Sequence, residues 1–124
     1  MSIIKRFYAS LLTVFALTTN PVAAGQCGYD YCWGAVAIGQ AGQTGWSYGQ
    51  ASESAANSVA QDGCGWNCTV VRTFYNACAA IAVADNGAWG WAYEKNRELA
   101  ESSAMNYCMD NGYNCTVKVW SCSH

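Results

Sequence analysis

Trp33-Gly34-Ala35-Val36-Ala37-Ile38 and Cys78-Ala79-Ala80-Ile81-Ala82-Val83 are short runs of small and β-branched residues that begin 45 positions apart. Gly45-Trp46-Ser47-Tyr48 and Gly90-Trp91-Ala92-Tyr93 stand at the same offset. Asn67-Cys68-Thr69-Val70 returns as Asn114-Cys115-Thr116-Val117, at an offset of 47. Matched segments in the same order predict two copies of one unit, residues 33–77 and 78–122.

Each copy reads strand, strand, helix, strand. In the first, Trp33–Ile38 is an apolar strand, the glycines between Gly39 and Gly45 make a turn, and Trp46 and Tyr48 share one face of a return strand. Ala51–Gln61 is Ala- and Ser-rich, with Ala55, Ala56, Val59 and Ala60 on an apolar stripe at helical spacing. Gly63-Cys64-Gly65 stops it, and Thr69–Tyr75 is a β-branched strand. In the second copy, Asp85-Asn86-Gly87 is a hairpin turn between Ala79–Ala84 and Ala88–Tyr93, with Trp89, Trp91 and Tyr93 on one face. Asn96 caps a helix running to about Met109, predicted to bury Leu99, Ala100, Ser103, Ala104, Tyr107 and Cys108. Asn114–Ser121 is the last strand. The expected fold is α+β, a tandem ββαβ repeat. It has one antiparallel sheet, or two pseudo-symmetric half-sheets, with two helices packed on it.

Cys27, Cys32, Cys64, Cys68, Cys78, Cys108, Cys115 and Cys122 all lie after residue 24. An even number of cysteines at this density reads as a disulfide framework in an oxidising compartment. Zinc sites usually show tight Cys-x-x-Cys pairs, whereas the close spacings here are x4, x3 and x6 with no interleaved histidine. No metal site and no cofactor are expected. Eight cysteines allow 105 pairings, and the repeat narrows them. Cys64–Cys68 and Cys108–Cys115 each staple a helix end to the next strand, Cys78–Cys122 spans the second copy, and Cys27–Cys32 remains. By chain entropy a 45-residue loop is worth roughly 4 kcal/mol and a five-residue loop about 2 kcal/mol.

Residues 1–24 read as a secretory signal peptide. Lys5 and Arg6 precede an apolar run from Phe7 to Leu17, and Val22-Ala23-Ala24 fits a cleavage site before Gly25. That run is short against the about 20 residues a membrane span needs, so no stable membrane insertion is expected after cleavage. Residues 25–124 then form a single disulfide-rich domain, secreted or periplasmic. It carries four basic residues (Arg72, Lys95, Arg97, Lys118) against eight acidic ones, a net charge of −4. With no basic stripe to neutralise phosphates, nucleic acid and anionic membrane surfaces are not expected as partners.

Catalytic candidates are thin. His124 is the only histidine and the last residue, a position usually disordered, so it offers no oriented base. Glu53 and Glu98 are equivalent in the two copies and form an acid–base pair in principle, but each opens a helix, where carboxylates are favoured anyway. Asp85-Asn86-Gly87 lacks the ligand series of a calcium loop and reads as a turn only. Asn67 and Asn114 begin loose Asn-x-Thr sequons, relevant only in a eukaryotic secretory pathway. Aromatics are the main surface signal. Six tryptophans are many for a domain this small, and two short helices cannot cover both sheet faces. Trp46 and Trp91 are assigned to the core; Trp66, Trp120 and Tyr113 form the candidate binding surface.

An Ala-rich helix ending in Cys, the Gly-Trp-x-Tyr segments, Cys68-Thr69-Val70-Val71 and Asn76-Ala77-Cys78-Ala79-Ala80-Ile81-Ala82-Val83 together resemble the bacterial secreted family "domain of unknown function 4189", from Trp33 to Cys122. The resemblance implies an exported bacterial protein of α+β build and carries no catalytic residues to transfer. The reading is a small exported binding protein, of unspecified partner (a protein or an envelope component), rather than an enzyme. The alternative is a small secreted hydrolase or effector acting on envelope or host components.

Overall fold

The structure, a computed structural model, describes residues 25–124; the leader read over residues 1–24 lies outside the described residues. The elements are β1 (Trp33–Gly39), β2 (Thr44–Gln50), α1 (Glu53–Gly63), β3 (Cys68–Tyr75), β4 (Ala77–Val83), β5 (Trp89–Glu94), α2 (Arg97–Met109) and β6 (Thr116–Ser123). They form two antiparallel three-stranded sheets, ordered β2-β1-β3 and β5-β4-β6. Two half-sheets, not one continuous sheet, are therefore realised. The break falls at Asn76, the single residue between β3 and β4, which takes φ 50°, a left-handed conformation that asparagine tolerates.

Alternation along the central strands explains the layers. Ala35 and Ala37 of β1 pack with Ala56, Ala60 and Cys64 of α1's face, while Val36 and Ile38 point the other way. In β4, Ala80 and Ala82 join Ala100, Ala104 and Cys108 of α2's face, while Ala79 and Ile81 point the other way. The layers run α1, sheet, sheet, α2. Between the sheets lie the bulkier Val36, Ile38, Phe74, Ile81 and Val119. A strand buried on both faces reads as a continuous apolar run, and β1 and β4 do.

Under each helix the side chains are small, and glycine closes the gap further. A Cβ on Gly45 would overlap the Ala60 carbonyl, and one on Gly90 would collide with the α2 backbone at Ala104 and Cys108. That close approach corrects the helix stripes predicted above. Only Ala56, Ala60, Ala100, Ala104 and Cys108 are fully buried, whereas Val59, Leu99 and Tyr107 are exposed. A gap set by alanine and glycine has no room for larger side chains, which are left at the helix flanks. The helices begin at Ser52, whose hydroxyl accepts from Ala55 N–H at 3.1 Å, and at Asn96, whose Oδ1 accepts from Leu99 N–H at 2.9 Å. Each cap is worth about 1 kcal/mol.

The eight cysteines form four disulfides, Cys27–Cys32, Cys64–Cys68, Cys78–Cys122 and Cys108–Cys115. The Cys27–Cys32 lead-in is tied to both halves. Cys32 N–H donates to Asn76 Oδ1 at 2.9 Å, Asn76 Nδ2 donates to the Asp30 carbonyl at 3.0 Å, and Ser123 Oγ donates to the Cys32 carbonyl at 2.8 Å. At the opposite end, Asp85 accepts from Asn114 Nδ2 at 3.0 Å, so the Asp85-Asn86-Gly87 turn spends its carboxylate on the neighbouring loop.

Candidate functional site: an exposed aromatic groove

Strand β2 sorts its side chains by size. Gly45 and Ser47 lie toward α1, where the Ser47 hydroxyl donates to the Ala56 carbonyl at 2.7 Å. Trp46 and Tyr48 must then emerge on the other face. Their rings stack at 5.8 Å between centroids and 8° between planes. The assignment of Trp46 to the core is corrected: it is 53% exposed and Tyr48 is 58% exposed. The physical reason is that β2 is an edge strand, and the space between the sheets is already filled by the branched side chains of β1, β4 and β6.

Trp120 of β6 completes the feature. It pairs with Ala80 across the sheet and is 40% exposed. The Arg97 guanidinium carbon lies 3.7 Å from its ring centroid, and Arg97 Nε is held by Glu101 at 2.8 Å. A cation this close to an indole face contributes about 0.5–1 kcal/mol at an exposed site and fixes the ring's orientation. Trp46, Tyr48, Trp120, Ser121 and Cys122 line one groove of ≈ 480 Å³.

Strand β5 shows why this groove is open. Trp91 and Tyr93 occupy the matching positions of the second Gly-Trp segment, 5.7 Å apart. Arg72 of β3 lies over that edge, its guanidinium carbon 5.0 Å from the Trp89 ring and 5.9 Å from the Trp91 ring. At the 47-residue offset, Arg72 corresponds to Val119, which is buried and too short to reach over an indole. Trp91 also packs against the interlayer core, and it is half-buried where Trp46 is not.

The other sequence candidates fall elsewhere. Trp66 is exposed in the α1–β3 loop and donates through Nε1 to Asp62 at 2.7 Å. Tyr113 is exposed in the α2–β6 loop. Neither lines the groove with Trp120. Glu53 accepts from Thr73 Oγ1 at 2.9 Å in a shallow cleft to which Glu98 does not contribute. The two glutamates open helices that lie on opposite outer layers. His124 is not loose: its Nε2 lies 3.6 Å from Cys78 Sγ. The cluster Cys78, Cys122 and His124 has both sulfurs committed to one disulfide, so it offers no thiolate to a metal. Sequence reasoning missed Trp46, Tyr48 and Arg97 as groove residues. The available signal was the Gly45-Trp46-Ser47-Tyr48 alternation on a strand with an unpaired edge.

A family model described as "Domain of unknown function (DUF4189)" matches residues 33–122. Among solved structures the chain is similar to the NMR structure of Rv1813c from Mycobacterium tuberculosis, with 27% identity and a TM-score of 0.58 over 73% of this chain and 74% of that one. No curated protein matches.

Proposed function

Given that the chain belongs to the family described as domain of unknown function DUF4189, whose description supplies no activity, we propose a role read from the surface: an exported, disulfide-stapled binding module that engages a protein partner through the Trp46–Tyr48–Trp120 groove. The single observation that carries this reading is the stacked Trp46–Tyr48 pair, more than half exposed, beside a tryptophan oriented by an arginine. Trp, Tyr and Arg are the residue types that dominate binding hot spots. The stacked rings turn their faces to each other, which favours a partner's side chains over a flat sugar ring. Four disulfides among 100 residues support an oxidising compartment, the periplasm or the outside of the cell. The matched segments, and the same element order in each half, support two tandem copies of one ββαβ unit. In that reading the scaffold is common to both copies and recognition sits where they differ, at Val119 against Arg72.

The test is capture of binding partners from cell-envelope extracts with the oxidised protein and three variants. Trp46→Ala and Trp120→Ala are expected to lose the partner, while Trp66→Ala keeps it. Equal capture by all three overturns the groove assignment. Binding to isolated envelope glycan rather than protein changes the partner class. Hydrolysis of cell-wall material abolished in both Glu53→Gln and Glu98→Gln replaces the reading with an enzymatic one.

A further inference from the structure

A second cleft, of ≈ 570 Å³, lies at the other end of the interlayer core, between the β1–β2 and β4–β5 turns. Its apolar wall is the rim of that core: Ile38 and Val70 from one sheet, Val83 and Trp89 from the other. Its volume lies within the range of small-molecule sites.

Two irregularities in strand pairing border this cleft. On β3, Ile38 pairs with Val70 and Gly39 with Cys68, so Thr69 is left over. On β6, Ile81 pairs with Val119 and Ala82 with Val117, so Lys118 is left over. An extra residue in one strand breaks the alternation and re-aims its side chain. Both leftover residues line the cleft. The same extra residues let Cys68 and Val117 face the helices while Val70 and Val119, two positions on, face the layer between the sheets.

The charge is one-sided. Lys118 lines the cleft, and none of the described residues lining it carries a carboxylate. Beyond residue 24 acids outnumber bases eight to four, so a lysine set over an apolar wall without an acid beside it stands out. An ammonium repels cations and gains less from a neutral acceptor than from an anion, which it attracts as a compact point charge. The apolar wall beside it takes a hydrocarbon chain.

We propose that the cleft between the two hairpin turns binds a single-chain anionic amphiphile, a free fatty-acid-like carboxylate. The acyl chain lies on Ile38, Val70, Val83 and Trp89, and the carboxylate pairs with Lys118 Nζ. The site is separate from the aromatic groove and does not depend on it.

The experiment is an amide NMR titration of the oxidised protein with decanoate, octanoate, decan-1-ol and decyltrimethylammonium, all below their aggregation limits. Decanoate is expected to bind saturably and shift the amides of Thr69, Val70, Val83 and Lys118. Removing two methylenes, in octanoate, weakens binding about tenfold. Lys118→Gln weakens decanoate about three- to fivefold while leaving decan-1-ol unchanged, and Lys118→Arg retains decanoate. Lys118 is solvent-exposed, so the variants keep the fold, which the unshifted remainder of the spectrum verifies. Equal affinity for decanoate and decan-1-ol, unchanged affinity in Lys118→Gln, or no saturable shift overturns the proposal. So do shifts confined to Trp46, Tyr48 and Trp120. Co-sedimentation with phosphatidylglycerol vesicles without binding of free decanoate overturns it as well, because the anion recognised is then a membrane surface.

Discussion

Ser121 Oγ donates to the Ser47 carbonyl at 2.8 Å, and both residues are buried where β6 of one sheet meets β2 of the other. The Ser47 hydroxyl in turn donates to the Ala56 carbonyl of α1 at 2.7 Å. One short chain of hydrogen bonds thus runs from β6 through β2 to α1. Ser121→Ala removes the donor and leaves a buried carbonyl short of a partner. The expected cost is about 1–3 kcal/mol, read as a lower urea midpoint at unchanged slope. A midpoint within error of wild type would show that this contact does not hold the sheets together.

Gly45 and Gly90 set the distance between each helix and its sheet. A methyl group at either position meets helix backbone, which cannot rotate away as a side chain can. Gly45→Ala and Gly90→Ala are each expected to lower stability by about 2–4 kcal/mol. Gly42→Ala is the contrast. Its Cβ meets nothing within 4 Å, and only the φ of +83° opposes it, so about 1 kcal/mol is lost. Thermal unfolding of the three variants should rank Gly42→Ala well above the other two.

Cys78 and Cys122 close a 44-residue separation, against 4, 5 and 7 for the other three bridges. Replacing both by alanine is expected to cost roughly 4 kcal/mol through the released loop entropy, and replacing Cys27 and Cys32 about 2 kcal/mol. Denaturant unfolding of the two double variants measures the difference directly. A larger loss from the Cys27/Cys32 variant would mean that the lead-in stabilises through packing with Asn76 and Ser123 rather than through its bridge.

Arg72 keeps Trp89 and Trp91 covered at the β5 edge. Arg72→Ala is expected to cost about 1 kcal/mol and to increase quenching of tryptophan fluorescence by acrylamide, since two more indoles meet solvent. Arg97→Ala acts on Trp120, which is already 40% exposed, so a smaller change in quenching is expected.

Local pattern carried most of the element order. Gly45-Trp46-Ser47-Tyr48 alternates small and large because a strand presents successive side chains to opposite faces, and Asn86-Gly87 marks the β4–β5 turn for the same kind of local reason, Gly87 having a φ of +85°. The helix stripes were only partly legible. Val59, Leu99 and Tyr107 have the spacing of core residues, yet the width of the helix–sheet gap depends on Gly45 and Gly90, which belong to other elements.

What the sequence by itself determined is the set of local choices: eight elements in order and the turns between them. Each follows from backbone periodicity within a few residues of itself. The tertiary structure alone decided which aromatics are open. Trp46 and Trp91 stand in nearly the same local sequence, but Trp91 lies under Arg72 from a distant strand and Trp46 faces a groove whose far wall, Trp120, is 74 residues away. Exposure is a property of what another part of the chain places opposite a side chain, and no local pattern encodes that.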